Sequence, residues 1–366
     1  MAGLYVHIPF CSSRCVYCGF YSTTGLELRE RYVEAVCKEI ETRGERVNTI
    51  YLGGGTPSQL SIEQLKRVFD AAYIYNKVEN DAEVTIEVNP DDVNKEFAEA
   101  LRQLPVNRIS MGAQTFSNER LRFLHRRHHA EQVPAAVETL RLAGFSNISI
   151  DLMYGFPEQT LEEWQLDIDK VLALGVEHIS SYCLMYEDGT PLYKLLEQGK
   201  VSEIDEETER RMYYTLIERL ESAGYEHYEI SNFARPGYRS RHNSSYWKGT
   251  PYIGIGAAAH SFDIKTRSWN VADIRKYIES MERGERLFEQ EEIDDTTHYN
   301  DAITVALRTK EGLDLTTLQV DQRDYCMANA KRHIDAKLLK TENNHLVLTK
   351  EGLFVSDMIM SDLMIV

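Results

Sequence analysis

The stretch His7-Ile8-Pro9-Phe10-Cys11-Ser12-Ser13-Arg14-Cys15-Val16-Tyr17-Cys18-Gly19-Phe20 follows a strand-like run, Gly3 to Ile8, and carries three cysteines at C-x3-C-x2-C spacing. Three thiolates on one short loop can hold three irons of a [4Fe-4S] cluster and leave the fourth iron open to a substrate or cofactor. The alternative is a structural zinc site, whose fourth ligand would be His7 or a distant histidine. Cys37, Cys183 and Cys326 lie apart from the loop. Such a pattern suits one metal site in a reducing compartment better than a disulfide framework. Those three are read as buried small hydrophobes.

Beyond the loop, β-rich runs recur at Thr49 to Leu52, Glu83 to Val88, Arg108 to Ala113, Asn147 to Leu152 and His178 to Leu184. Each is followed by apolar residues at helical spacing, such as Tyr32, Val33, Val36, Cys37 and Ile40, or Leu65, Val68, Phe69 and Ala72. Six β/α units imply a parallel α/β sheet, and right-handed crossovers curl it into a partial, six-unit TIM-like β/α barrel, open on one side. The sequence predicts this barrel over 1–230 and a loop-dominated bridge over 231–293. A compact α-rich domain of winged-helix size follows over 294–366.

Composition narrows the function classes. A formal net charge of −17 over 366 residues argues against general nucleic-acid binding. No secretory segment precedes the cysteine loop and no apolar run is long enough to span a bilayer, which predicts a cytoplasmic protein that meets membranes only through partners. One basic cluster, Arg120, Arg122, Arg126 and Arg127 with His125, His128 and His129, is either an anion site or a solvated helix end. A homodimer is left open.

In a barrel, chemistry belongs at the C-terminal ends of the strands, and the polar or glycine-rich motifs fall there. Gly53-Gly54-Gly55-Thr56-Pro57 lets backbone N–H groups approach a ligand, although such a turn also serves as a turn alone. Glu87 in Glu87-Val88-Asn89-Pro90 can accept bonds from vicinal hydroxyls or simply face water. Gln114 and Asp151 are polar strand ends that need partners, and Arg126 can clamp a carboxylate.

Taken in order, the cysteine loop, G-G-G-T-P, E-V-N-P, Gly112-Ala113-Gln114-Thr115-Phe116 and Asp151-Leu152-Met153-Tyr154-Gly155-Phe156-Pro157 resemble radical S-adenosylmethionine (SAM) proteins. The resemblance is to the family of oxygen-independent coproporphyrinogen III oxidase and covers Tyr5 to about Tyr186. It implies that Cys11, Cys15 and Cys18 hold the cluster and that SAM completes the fourth iron. It also implies that Tyr5 and Tyr17 line the SAM pocket. Gly54, Gly55 and Thr56 would contact its methionine portion, and Glu87 the cofactor. Gln114, Arg126 and Asp151 would extend the surface, with a second SAM site leaving open which molecule each meets.

Two departures matter. The oxidase carries a cysteine two residues after its third ligand, where this chain has Phe20, and it has an N-terminal extension where only ten residues precede Cys11 here. Both are similar to the shorter, HemW-type branch of the family, the haem chaperones. That branch has an H-N-x-x-Y-W segment, here His242-Asn243-Ser244-Ser245-Tyr246-Trp247. The resemblance implies a protein that binds haem and delivers it to recipient haem proteins, with His242 as haem ligand and His260 as a second candidate. A structural hydrogen bond is the alternative for His242. The competing activity is an oxygen-independent coproporphyrinogen III dehydrogenase or another tetrapyrrole-modifying radical SAM enzyme. The run Leu353, Phe354, Met358, Ile359, Met360, Leu363 and Met364 is read as core.

Overall fold

Alternation of apolar and polar residues along six consecutive strands shapes this molecule, whose computed structural model describes residues 2–366. The strands β1 (Ala2–Ile8), β2 (Arg46–Gly54), β3 (Lys77–Val88), β4 (Arg108–Gln114), β5 (Ile148–Tyr154) and β6 (His178–Cys183) run parallel in chain order. Between them lie α1 (Arg29–Thr42), α2 (Ile62–Tyr75), α3 (Lys95–Leu101), α4 (Asn118–Phe123), α5 (Gln132–Leu142) and α6 (Leu161–Ala173).

Ile50, Leu52, Val84, Ile86, Ile109, Met111, Ile150 and Ile179 share one core with helical residues such as Val36, Val68, Leu140 and Ile168. Each fully buried side chain of this kind contributes roughly 1.5–3 kcal/mol. The alternate positions are Tyr51, Thr85, Arg108, Ser110, Ser149, Asp151, His178 and Ser180. Strands of a parallel sheet covered on both faces usually read as continuous apolar runs, so a polar inner face marks a cavity that must be filled with hydrogen-bond partners.

After β6, α7 (Pro191–Glu197) and α8 (Glu206–Ser222) lead to β7 (Glu226–Glu229) and β8 (Asn232–Ala234), which extend one edge antiparallel to β6. The chain then crosses to the other edge. There α9 (Arg241–Trp247) precedes β9 (Tyr252–Ile255), which pairs parallel with β1. Next come β10 (His260–Phe262), β11 (Thr266–Asn270), α10 (Ile274–Glu282) and β12 (Phe288–Glu292). The result is one open twelve-stranded sheet, ordered β12-β11-β10-β9-β1-β2-β3-β4-β5-β6-β8-β7. The segment expected to be a loop-dominated bridge is therefore largely strands and two helices of the main sheet. Its strands are short, glycine-flanked and, in β12, exposed throughout, so no period-2 apolar signal marks them.

A buried carboxylate fastens this extension. Glu39 of α1 is fully buried and accepts from Tyr277 Oη at 2.7 Å, Gly256 N at 2.9 Å, and Asn270 Nδ2 at 2.9 and 3.1 Å. Arg43 at 3.1 Å and Arg286 at 3.3 Å balance its charge.

Residues from Asp295 onward form two helices (Asp295–Ala306 and Val320–Asp335), a three-stranded antiparallel sheet and two short terminal helices. They pack around a separate cluster that includes Ile303, Cys326, Leu346, Ile359, Met360 and Leu363. Most of the methionine-rich run is thus core, with Met358 facing solvent.

Replacing Glu39 by Ala leaves two facing guanidinium groups, and we expect urea unfolding to show a loss of about 3–5 kcal/mol. A loss below about 1 kcal/mol, the scale of an exposed pair, would show that the carboxylate does not hold the extension.

Candidate cofactor-binding cavity

The cysteine loop is pinned at its ends and in its middle. Cys11 N donates to Thr23 O at 2.9 Å and Thr23 N to Pro9 O at 2.7 Å, which closes the loop. Phe10 is buried edge-on against Tyr32, with centroids 5.4 Å apart. Val16 inserts among Leu124, Met153, Phe156, Leu184 and Leu192, while its backbone bonds to Leu124 and Leu192. Cys11, Cys15 and Cys18 remain half-buried on the wall of a cavity of about 430 Å³.

The glycine run makes this approach possible. A Cβ on Gly54, whose φ is +103°, would fall 2.2 Å from His7 Nδ1, and one on Gly55 would fall 2.7 Å from Ile8 O. Only a chain without side chains there can bring β2 so close to the base of the cysteine loop. Gly55 N donates to Ile8 O at 2.9 Å and Thr56 N to Phe10 O at 2.8 Å, and Thr56 Oγ1 lies 3.6 Å from Cys11 Sγ.

Glu87 accepts from Tyr51 Oη at 2.7 Å and Gly54 N at 3.0 Å. Burial, with Asp151 nearby, raises its carboxyl to about 7. Burial also raises Asp151, whose Oδ2 is 3.5 Å from Ser110 Oγ. Arg126 donates to Asn89 Oδ1 at 2.8 Å and Gly112 O at 2.5 Å and reaches Cys15 Sγ at 3.7 Å. Gln114 sits at a strand irregularity with φ +66°, a costly backbone for a residue other than glycine, of the kind that clusters at functional sites.

Cys11, Cys15, Cys18, Tyr17, Gly54, Gly55, Thr56, Glu87, Gln114, Arg126 and Asp151 all line this one cavity. Tyr5 does not line it; its hydroxyl donates to His7 Nδ1 at 2.9 Å, beneath Gly54. His7 Nε2 in turn donates to Tyr21 O at 2.9 Å, and burial pushes the imidazole down to about 4. Both His7 nitrogens are engaged, so the zinc alternative loses the fourth ligand nearest to the loop. Among the described residues no three His, Cys, Asp or Glu side chains converge on one ion position.

The donor set fits a cluster: three thiols on one pinned loop, a guanidinium beside Cys15, and, among the described residues, no protein group taking a fourth place. Burial raises the Cys11 thiol and pushes Cys18 up to about 11, so cluster binding must displace protons.

His242 is enclosed. It is 1 % exposed, its Nδ1 is 2.8 Å from Thr49 Oγ1, and its Nε2 is 2.8 Å from Tyr246 Oη. Its ring stacks on Tyr51 at 5.1 Å, and burial lowers the imidazole to about 3. Both nitrogens are bonded between β2 and α9, the structural role that was the alternative to haem ligation. Trp247 instead lies under Arg308 at 4.9 Å, and Asn243 alone of the motif reaches the cavity. His260 is exposed and stacked on Trp269 at 5.8 Å, away from the cavity.

The basic cluster divides. His125, Arg126, Arg127 and His128 line the cavity, with Arg127 also pairing with Asp91 and Asp92, whereas Arg120 pairs with Glu163 away from it. Cys183, expected as a core hydrophobe, lines the cavity too, as do Arg108, Ser110, Ser180 and Tyr182. The period-2 polar pattern of β4, β5 and β6 carried the signal for these inner-face residues.

A pinned three-cysteine loop after the first strand of an open β/α half-barrel defines the radical SAM class. Residues 5–171 match the radical SAM superfamily, and residues 293–355 match the HemN C-terminal domain. The chain is 38% identical over 312 residues to "Heme chaperone HemW" of Lactococcus lactis, covering 84% of this chain and 82% of that one. It is 37% identical over 322 residues to "Heme chaperone HemW" of Bacillus subtilis, covering 86% and 85%. The chain belongs to the HemW family of radical SAM proteins. The coproporphyrinogen III oxidase HemN of Escherichia coli shares its fold, with a TM-score of 0.84 at 24% identity, covering 99% of this chain and 89% of that one.

The raised carboxyl of Glu87 has a pH consequence in the cofactor-free protein. Its stabilising contribution is complete below the unfolded value of 4.5 and is lost as pH rises through about 7. Urea melts of Glu87→Gln against wild type should show the variant gaining relative stability from pH 4.5 to 7, then levelling off. A difference that does not change with pH would refute this.

Proposed function

We propose that this chain is a haem chaperone, which binds haem and passes it to recipient haem proteins while carrying a SAM-liganded [4Fe-4S] cluster. The single observation that carries the reading is its 38% and 37% identity to two proteins named as haem chaperones, over 84% and 86% of this chain. Phe20 supports it. The side chain two places past Cys18 is a phenylalanine, 68% exposed at the cavity wall, where a further cysteine would have offered another thiol. Together with Tyr182 and Met185 it supplies an aromatic and polarizable surface suited to a planar macrocycle.

In this reading Cys11, Cys15 and Cys18 would hold three irons of the cluster, and SAM at the remaining iron would make one-electron chemistry available. Tyr17, Gly54, Gly55, Thr56, Glu87, Gln114, Arg126 and Asp151 hold SAM, while Tyr5 supports Gly54 from below. Arg126 ties the loop to β3 and β4 through Asn89 and Gly112, so the cofactor pocket and the strand ends keep one geometry.

Anaerobic titration of the reconstituted protein with haem should give a saturable Soret change, with no conversion of coproporphyrinogen III. Absence of saturable binding, or turnover of coproporphyrinogen, would overturn the reading. Because His242 is sealed, His242→Ala should lower the melting temperature and leave the Soret maximum of bound haem in place. A shifted maximum would restore His242 as a ligand.

A further inference from the structure

The His242-Asn243-Ser244-Ser245-Tyr246-Trp247 segment places two of its rings in a row that starts inside the cavity and ends at the surface. Tyr51 lines the cavity. Its ring lies 5.1 Å from that of His242, His242 lies 5.1 Å from Tyr246, and Tyr246 lies 4.6 Å from Tyr252. Tyr252 opens β9 and is half-buried, so the row ends where solvent reaches it.

Aromatic packing of this kind is ordinary in a core, and a buried tyrosine hydroxyl needs some partner. The identity of the partners is what singles out this row. Tyr32, Tyr213 and Tyr299 give their protons to backbone carbonyls, which cannot take them away. Tyr51 Oη instead donates to Glu87 Oε1 at 2.7 Å. Tyr246 Oη lies 2.8 Å from His242 Nε2, while His242 Nδ1 lies 2.8 Å from Thr49 Oγ1. With Nδ1–H given to Thr49, the neutral imidazole turns its lone pair on Tyr246. Tyr228 and Tyr277 also meet a base, but neither lines the cavity. A tyrosine loses an electron readily only when its hydroxyl proton has a base to go to, because the oxidised phenol is a strong acid.

We propose that Tyr51, Tyr246 and Tyr252, with His242 between the first two, carry one-electron oxidising equivalents out of the cavity to the surface, where a soluble thiol quenches them. Two sources place a one-electron oxidant in the cavity: SAM, through the carbon radical its reductive cleavage yields, and haem, through its reaction with a peroxide. The haem source rests on the chaperone reading; the SAM source rests on the radical SAM family alone. In the first step Tyr51 gives an electron to the oxidant, which is thereby reduced, and its hydroxyl proton to Glu87. Tyr246 then returns an electron to Tyr51 and passes its own proton to His242 Nε2, as Glu87 hands the first proton back. Tyr252 repeats the step, losing its electron to Tyr246 and its proton to water, while His242 returns the second proton. A thiol gives Tyr252 a hydrogen atom, and two thiyl radicals join as a disulfide.

The test uses the full chain, anaerobically reconstituted, as wild type, Tyr51→Phe, Tyr246→Phe and Tyr252→Phe, after a thermal melt confirms folding. It is run at about pH 8, where Glu87 is ionised. One arm adds dithionite and SAM; the other adds ferric haem and then hydrogen peroxide. Freeze-quenched EPR, narrowed by ring-deuterated tyrosine, reads the tyrosyl radical. A spin trap mapped by peptide mass spectrometry locates it, with the exposed Tyr238 as the measure of indiscriminate oxidation. Wild type should give a tyrosyl signal, a trap adduct on Tyr252, and loss of the signal on adding glutathione. Tyr246→Phe should lose the Tyr252 adduct and keep a signal that glutathione no longer removes. Tyr51→Phe should lose both signal and adduct. The arm that behaves so identifies the source.

No tyrosyl radical in either arm, or a Tyr252 adduct that survives both Tyr51→Phe and Tyr246→Phe relative to Tyr238, overturns the proposal. Should either of those variants fail to fold, Tyr252→Phe decides: a signal that glutathione still removes as in wild type overturns it equally. If wild type does not bind haem saturably, the chaperone reading falls and the SAM arm alone decides the role of the tyrosines.

Discussion

Everything in this structure follows from a parallel sheet whose inner face is polar. Burying hydroxyls, carboxylates and guanidinium groups costs free energy unless each is paired. The chain meets much of that demand internally, through Tyr51 with Glu87, His178 with Ser149 and Tyr228, and His242 with Thr49 and Tyr246. Among the described residues, buried polar atoms left without a partner include Arg108 Nε, Arg126 Nε and His128 Nδ1 on the cavity wall, and Thr85 Oγ1 beside Arg108 in register. The apolar outer face, by contrast, is fully covered by helices, so the core stabilises the fold and leaves the inner face free for ligand chemistry.

The same face explains the openness of the sheet. Instead of closing, it continues past β1 into β9 to β12 and past β6 into β8 and β7. The β9 side is clamped to α1 by the hub at Glu39, where two arginines, an asparagine, a tyrosine and a backbone amide meet one carboxylate. This places α9 where His242 can close the inner face beneath Tyr51 and Asn243 can reach the cavity.

Much of the site was legible beforehand because its chemistry is local. The cysteine spacing, the glycine run and the strand-end acids each sit within a few residues, and the loop and turn they build depend on those neighbours. All six parallel strands lie close to where their periodicity places them. The surroundings of Tyr5 and His242 were not legible for one reason: a motif states which residue is present and not which way its ring is already bonded. The cavity-facing sides of Cys183 and Arg108 were not legible because each meets the cavity only through strands distant in sequence.

The sequence by itself determined the half-barrel, the cluster loop and the membership of the radical SAM class, because alternation and short-range spacing are encoded residue by residue. Only the tertiary structure decided which polar side chains found partners. It sealed His242 and His7, turned Cys183 into the cavity wall and left Arg108 Nε without a partner, because hydrogen-bond satisfaction depends on atoms brought together from across the chain.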